Sequence, residues 1–117
     1  MSNLIFKEKC LTLLITDLLK DLHVWYPNHT KIGDFYYKIK NFPTLISQNI
    51  FEKCKILIKY TVQIKERNES FFLKEIKEID LELFQEINKI FIDPSTTLQI
   101  KEKIWDYVDK FLYIVSV

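Results

Sequence analysis

Apolar residues recur along this chain with the 3.6-residue period of an α-helix, in four long runs separated by polar or proline-bearing breaks. Leu4, Leu11, Leu14, Ile15, Leu18, Leu19 and Leu22 share one stripe, with Lys7, Glu8, Lys20 and Asp21 away from it, which predicts a helix to about residue 22 capped by Ser2 or Asn3. Ile46, Ile50, Cys54, Leu57, Ile58, Thr61 and Ile64 predict a helix over about 44–67, capped by Thr44. Phe72, Ile76, Ile79, Leu83, Ile87 and Ile90, widened by Phe84 and Phe91, predict one from Ser70 to about residue 91; Asp80 lies off that face and offers a second cap that would split it. Ile100, Ile104, Val108, Phe111 and Val115, with Trp105 and Leu112 beside them, predict a last helix to about residue 115, opened by a Thr96–Gln99 capping box.

Residues 23–43 break the pattern. Pro27, Gly33 and Pro43 forbid one regular element there, and a short helix over 35–40, capped by Asp34, fits between them. The β-branched run from Tyr60 to Ile64 reads as a strand in isolation, but the helical period passes through it and no partner strand exists elsewhere. The expectation is therefore an all-α fold: a compact bundle of four long helices and one short helix, forming a single domain over 1–117. Short connections favour antiparallel neighbours, which would set the third helix beside the fourth.

Composition sharpens this picture. The chain has one glycine, no alanine and 17 isoleucines, so Gly-rich phosphate loops and glycine hairpins are excluded. Phe, Tyr, Met, Ile, Asn and Lys fill 55 of 117 positions, and their codons are AT-rich, which points to a genome of that base bias. A hydrophobic content of 48% in so short a chain leaves apolar area for a partner or a second copy. Net charge is only +1, but residues 31–67 carry +5 and residues 68–117 carry −4, so the two stretches can neutralise each other by packing side by side. Cys10 and Cys54 sit in apolar helical patterns and are expected as reduced, buried side chains of an intracellular protein. The run Leu11–Ile15 is too short and too closely flanked by charge to be a signal or a membrane span. The two glycosylation sequons at Asn28 and Asn68 are chance matches in that setting.

The pattern Ile79-Asp80, Leu83-Phe84, Ser95 to Thr97, then Lys101-Glu-Lys-Ile-Trp105-Asp-Tyr107 through Phe111-Leu112 resembles the C-terminal part of small uncharacterised proteins of large DNA viruses. The resemblance covers about residues 71–115, with a longer spacing from Phe84 to Trp105 and no counterpart of the aromatic-rich loop. It implies a viral origin, in host cytoplasm or virion, and brings no activity and no site residues.

No motif specifies a reaction. His23, His29, Cys10 and Cys54 lack a metal-ligand spacing, and mid-helix cysteines lack an oxyanion hole. Glu75, Glu78, Glu82 and Glu86 form an acidic stripe at helical spacing, but interleaved lysines make it a solvated face. No catalytic residue, cofactor or metal is assigned, and the chain reads as a non-enzyme. The most suggestive feature is aromatic: Trp25, Tyr26, Phe35, Tyr36, Tyr37 and Phe42 place six aromatics in 18 residues. They either plug one end of the bundle or form a contact surface for a protein partner or a second copy, since three consecutive aromatics cannot all face inward on one helix. Homo-oligomerisation is expected and membrane insertion is not. The alternative is a nucleic-acid surface on Lys53, Lys55 and Lys59, with one arginine in the whole chain counting against it.

Overall fold

A computed structural model describes residues 2–117, apart from the side chains of Ser2, Leu45 and Ile46. The proposed Ser2 cap and the Ile46 position of the second stripe therefore lie outside the described residues. Every regular element described is helical and none is a strand, so the fold is all-α. The α-helices are α1 (Ser2–Trp25), α2 (Thr30–Asn41), α3 (Pro43–Cys54), α4 (Thr61–Lys65), α5 (Ser70–Leu73), α6 (Glu82–Ile92) and α7 (Leu98–Ser116). Two 3₁₀ segments, Lys55–Tyr60 and Glu75–Glu78, complete the order. This differs from four long helices and one short one. The chain divides into two units, residues 1–52 and 53–117.

In the first unit α1 runs beyond Leu22 to Trp25 and buries Leu11, Ile15, Leu18, Leu19 and Leu22. A tight turn follows, in which the His29 amide donates to the Tyr26 carbonyl at 3.0 Å. The short helix begins earlier than expected. His29, not Asp34, caps α2: its ring Nδ1 accepts from the Ile32 amide at 3.3 Å. Gly33 lies inside that helix with an ordinary negative φ, and its value is in what comes close to it. A Cβ there would stand 3.2 Å from Cε1 of His23, so the missing side chain lets α1 and α2 approach. Pro43 opens α3 as its first residue, where the missing amide costs nothing, and Thr44 sits inside the helix.

In the second unit both expected long helices are broken. Cys54, Leu57 and Tyr60 are buried at intervals of three, while Ile58 of the predicted stripe is 45% exposed. A 3₁₀ helix has three residues per turn and aligns such a set on one face, whereas an α-helix would rotate it away. The tightened segment packs on α7. The next break lies between α5 and α6, where Ile79 and Leu81 are extended. Asp80 falls in this break but does not cap α6; Leu81 precedes that helix with no side-chain cap. The carbonyls freed there are taken by Gln85, whose Nε2 donates to Ile79 at 3.0 Å and Ile76 at 3.3 Å. At the last helix Thr97 is the cap, accepting from the Ile100 amide at 3.3 Å, while the Thr96 hydroxyl turns back to the Ile90 carbonyl.

Aromatic side chains fill the core of this unit. Phe72 stacks on Phe91 with centroids 3.8 Å apart, and Trp105 meets Phe72 edge-on at 4.8 Å. Phe71 adds a second edge contact to Phe72 at 5.1 Å. The apolar face of α7, formed by Ile104, Trp105, Val108, Phe111 and Leu112, is wholly buried.

Candidate functional site

The aromatic segment is built by the α1–α2 corner. His23, near the end of α1, lies over the Gly33 backbone and against the rings of Tyr36 and Tyr37, at 6.0 and 5.7 Å. Tyr36 and Tyr37 are themselves 5.2 Å apart, and the Lys40 ammonium sits 5.6 Å from the Tyr36 ring. The corner thus brings Tyr36 and Tyr37 together around His23, a residue that the aromatic pattern alone did not mark. Its Nδ1 is buried and, among the described residues, has no hydrogen-bond partner. A histidine followed ten residues later by the chain's only glycine is the sequence trace of this contact.

The six aromatics divide by exposure. Trp25, Tyr37 and Phe42 are exposed, at 37%, 51% and 55%, while Tyr26, Phe35 and Tyr36 are half-buried. Among the described residues no ring pairing joins Trp25, Phe35 or Phe42 to the His23 cluster. Val24, beside Trp25, is 68% exposed and extends the apolar surface.

The basic residues lie in the second unit and are drawn into its own charge network. The Lys53 ammonium bonds the Asp80 carbonyl at 2.6 Å and its carboxylate at 3.1 Å. Lys59 pairs with Glu78 at 3.3 Å. The Tyr60 hydroxyl also donates to Glu78, and these two bonds hold that carboxyl below the usual range. Lys55 lies on the same 3₁₀ segment and is exposed. Arg67 has φ 52 and closes α4 with paired bonds, Asn68 amide to Gln63 carbonyl at 2.9 Å and its own amide to Ile64 at 3.1 Å. Its guanidinium reaches Asp106 at 2.7 Å and Asp109 at 3.3 Å. The opposite charges of residues 53–67 and 68–117 thus meet inside one unit.

The expected acidic stripe does not form a face. Glu75 and Glu78 lie on a 3₁₀ segment, Glu82 and Glu86 on α6, and Glu86 is buried and paired with Lys89 at 3.1 Å. Burial pushes the Cys54 thiol pKa upward, away from the thiolate a nucleophile or metal ligand needs. Among the described residues no group of three His, Cys, Asp or Glu side chains is placed to hold a metal ion. No helix among them is long and apolar enough to cross a membrane. Comparison with known families, curated proteins and solved structures finds no match for this chain.

Proposed function

We propose that this chain is a non-enzymatic helical protein that works through protein–protein contacts, including contact with a second copy of itself. The observation that carries this reading is the exposure of Trp25 and Tyr37, at 37% and 51%, at the α1–α2 corner, with Phe42, at 55%, at the far end of α2. Large aromatic side chains at a surface are the usual anchors of protein interfaces, because they bury much area for little lost rotamer freedom. The His23 contact over Gly33 and the Tyr36 ring hold Tyr37 in place from below, so the surface is ordered before a partner arrives. Trp25→Ala and Tyr37→Ala are expected to weaken association while leaving far-UV helicity intact. Unchanged association in both variants would remove this corner as the contact surface.

A nucleic-acid role on Lys53, Lys55 and Lys59 is the weaker reading, because Lys53 and Lys59 already neutralise Asp80 and Glu78. It requires salt-sensitive binding to a nucleic acid strand. Titration of single-stranded and duplex oligonucleotides at low salt tests it, and binding that collapses with added salt would bring it forward.

A further inference from the structure

Helix α1 has 24 residues and α2 has 12, so at 1.5 Å per residue they span about 36 and 18 Å. Because α2 packs on α1 from the His23 end, it stops halfway along. The uncovered N-terminal half of the same face becomes a groove of about 470 Å³. Ile5, Thr12, Leu13 and Thr16 of α1 wall it, with Ile39 and Pro43 opposite. Both threonines spend their hydroxyls inside α1, donating to the carbonyls of Glu8 at 2.8 Å and Thr12 at 2.7 Å. The recess is therefore apolar although its wall contains hydroxyl residues.

Two features identify what fits it. The rim carries Glu8, Lys9 and Lys40, charges of both signs, and among the described residues none of the three forms an ion pair, in contrast to Lys53, Lys59, Arg67 and Lys101 of the second unit. At the lip of the recess Leu13, one of its lining residues, and Phe6 beside it are 65% and 67% exposed, seven residues apart and so on one edge of α1. A small apolar ligand would fill the recess and leave Phe6 in water. The rim, one carboxylate among two ammoniums, offers no uniform positive field to a nucleic acid or an anionic lipid surface. A protein helix with its own apolar ridge and its own mixed charges covers both features, and α1 of another copy is such a helix.

We infer that the α1 groove seats a second copy of this chain, in a two-fold contact where Phe6 and Leu13 of each copy enter the other's groove and Glu8 faces Lys9 or Lys40 across the interface. Recess and ridge on the same face make the surface self-complementary, as a two-fold interface requires. The inference rests on the self-association proposed above and assigns it to a particular surface.

The test is light scattering on the full chain across a concentration series. The wild type is expected to be a dimer. Leu13→Lys should raise its dissociation constant by about tenfold or more. Glu8→Lys should weaken it by a smaller factor, and adding Lys9→Glu and Lys40→Glu to that variant should restore it. The charge variants sit on the rim, so they keep the test decisive if Leu13→Lys disturbs folding. A dimer unaffected by Leu13→Lys and Glu8→Lys but dissolved by Trp25→Ala would overturn the groove and keep self-association. A monomer at every concentration would overturn both, as would a monomer whose native mass spectrum shows a bound amphiphile.

Discussion

Residues 1–52 and 53–117 answer the same problem, a chain of bulky apolar and charged side chains without alanine, in opposite ways. The second unit breaks its helices: two 3₁₀ segments turn Leu57, Tyr60 and Ile76 inward, and Lys53, Lys59, Arg67 and Lys101 find acidic partners in the same unit, while Val62, Leu73, Leu98 and Tyr113 stay more than half exposed. The first unit keeps its helices regular and leaves Phe6, Leu13, Val24, Tyr37 and Phe42 more than half exposed. Regular helices of unequal length cannot cover one another, whereas broken ones can follow their own apolar residues. Both units leave large apolar side chains in water, so the contrast lies in helix regularity and in the internal charge network of the second unit.

The largest expected contrast is in core against surface aromatics. Phe72→Ala removes a ring that touches Phe71, Phe91 and Trp105 and should cost about 3–5 kcal/mol in denaturant unfolding. Phe42→Ala, at a side chain 55% exposed, should cost no more than about 0.5 kcal/mol. Equal losses would break the comparison. Next in size is Arg67, held at φ 52 by its cap and by two aspartates. Arg67→Ala keeps the backbone strain and loses both pairs, while Arg67→Gly loses the pairs but relieves the strain. The glycine variant should therefore be the more stable by about 1 kcal/mol in urea melts.

A smaller effect sharpens the account of the α1–α2 corner. Gly33→Ala gains helix propensity of about 1 kcal/mol but presses on the His23 ring. A double-mutant cycle with His23→Ala should show that the gain appears in full only when the ring is absent. The smallest effect is on pH. The Tyr60 and Lys59 hydrogen bonds lower the Glu78 pKa, so their contribution is present above the unfolded carboxyl pKa and is lost as pH falls through the lowered folded value. Glu78→Gln should flatten that part of the acid dependence of stability and leave neutral-pH helicity unchanged.

Much of the fold was legible in the period of the apolar residues, and the losses have physical reasons. Of the first stripe Leu11, Ile15, Leu18, Leu19 and Leu22 are buried in a helix, while Leu14 is half-buried and Leu4 exposed; Ile104, Val108, Phe111 and Val115 are buried in the last. Over six residues, periods of 3.0 and 3.6 differ by one position, so the choice of Tyr60 over Ile58 as the buried residue depends on what α7 presents, which no local pattern contains. The break after α5 was legible at Asp80 as a capping signal, yet α6 starts there without a side-chain cap, and Gln85 reaches back to satisfy the carbonyls of Ile76 and Ile79 on the other side of the break. His29 was unreadable as a cap because its ring nitrogen performs a task usually given to a short oxygen-bearing side chain. Of the candidate surface, the exposure of at least one of Phe35, Tyr36 and Tyr37 followed from three aromatics in a row on one helix, but that it is Tyr37 did not. The groove did not, since it exists only where α2 ends against a longer α1.

The proposal places the contact surface in residues 1–52, and amide hydrogen exchange at low and high protein concentration is its sharpest test. The account predicts added protection at high concentration within residues 5–16 of α1 and around the α1–α2 corner, with residues 53–117 unchanged. Protection gained only in 53–117, or none anywhere, would contradict it.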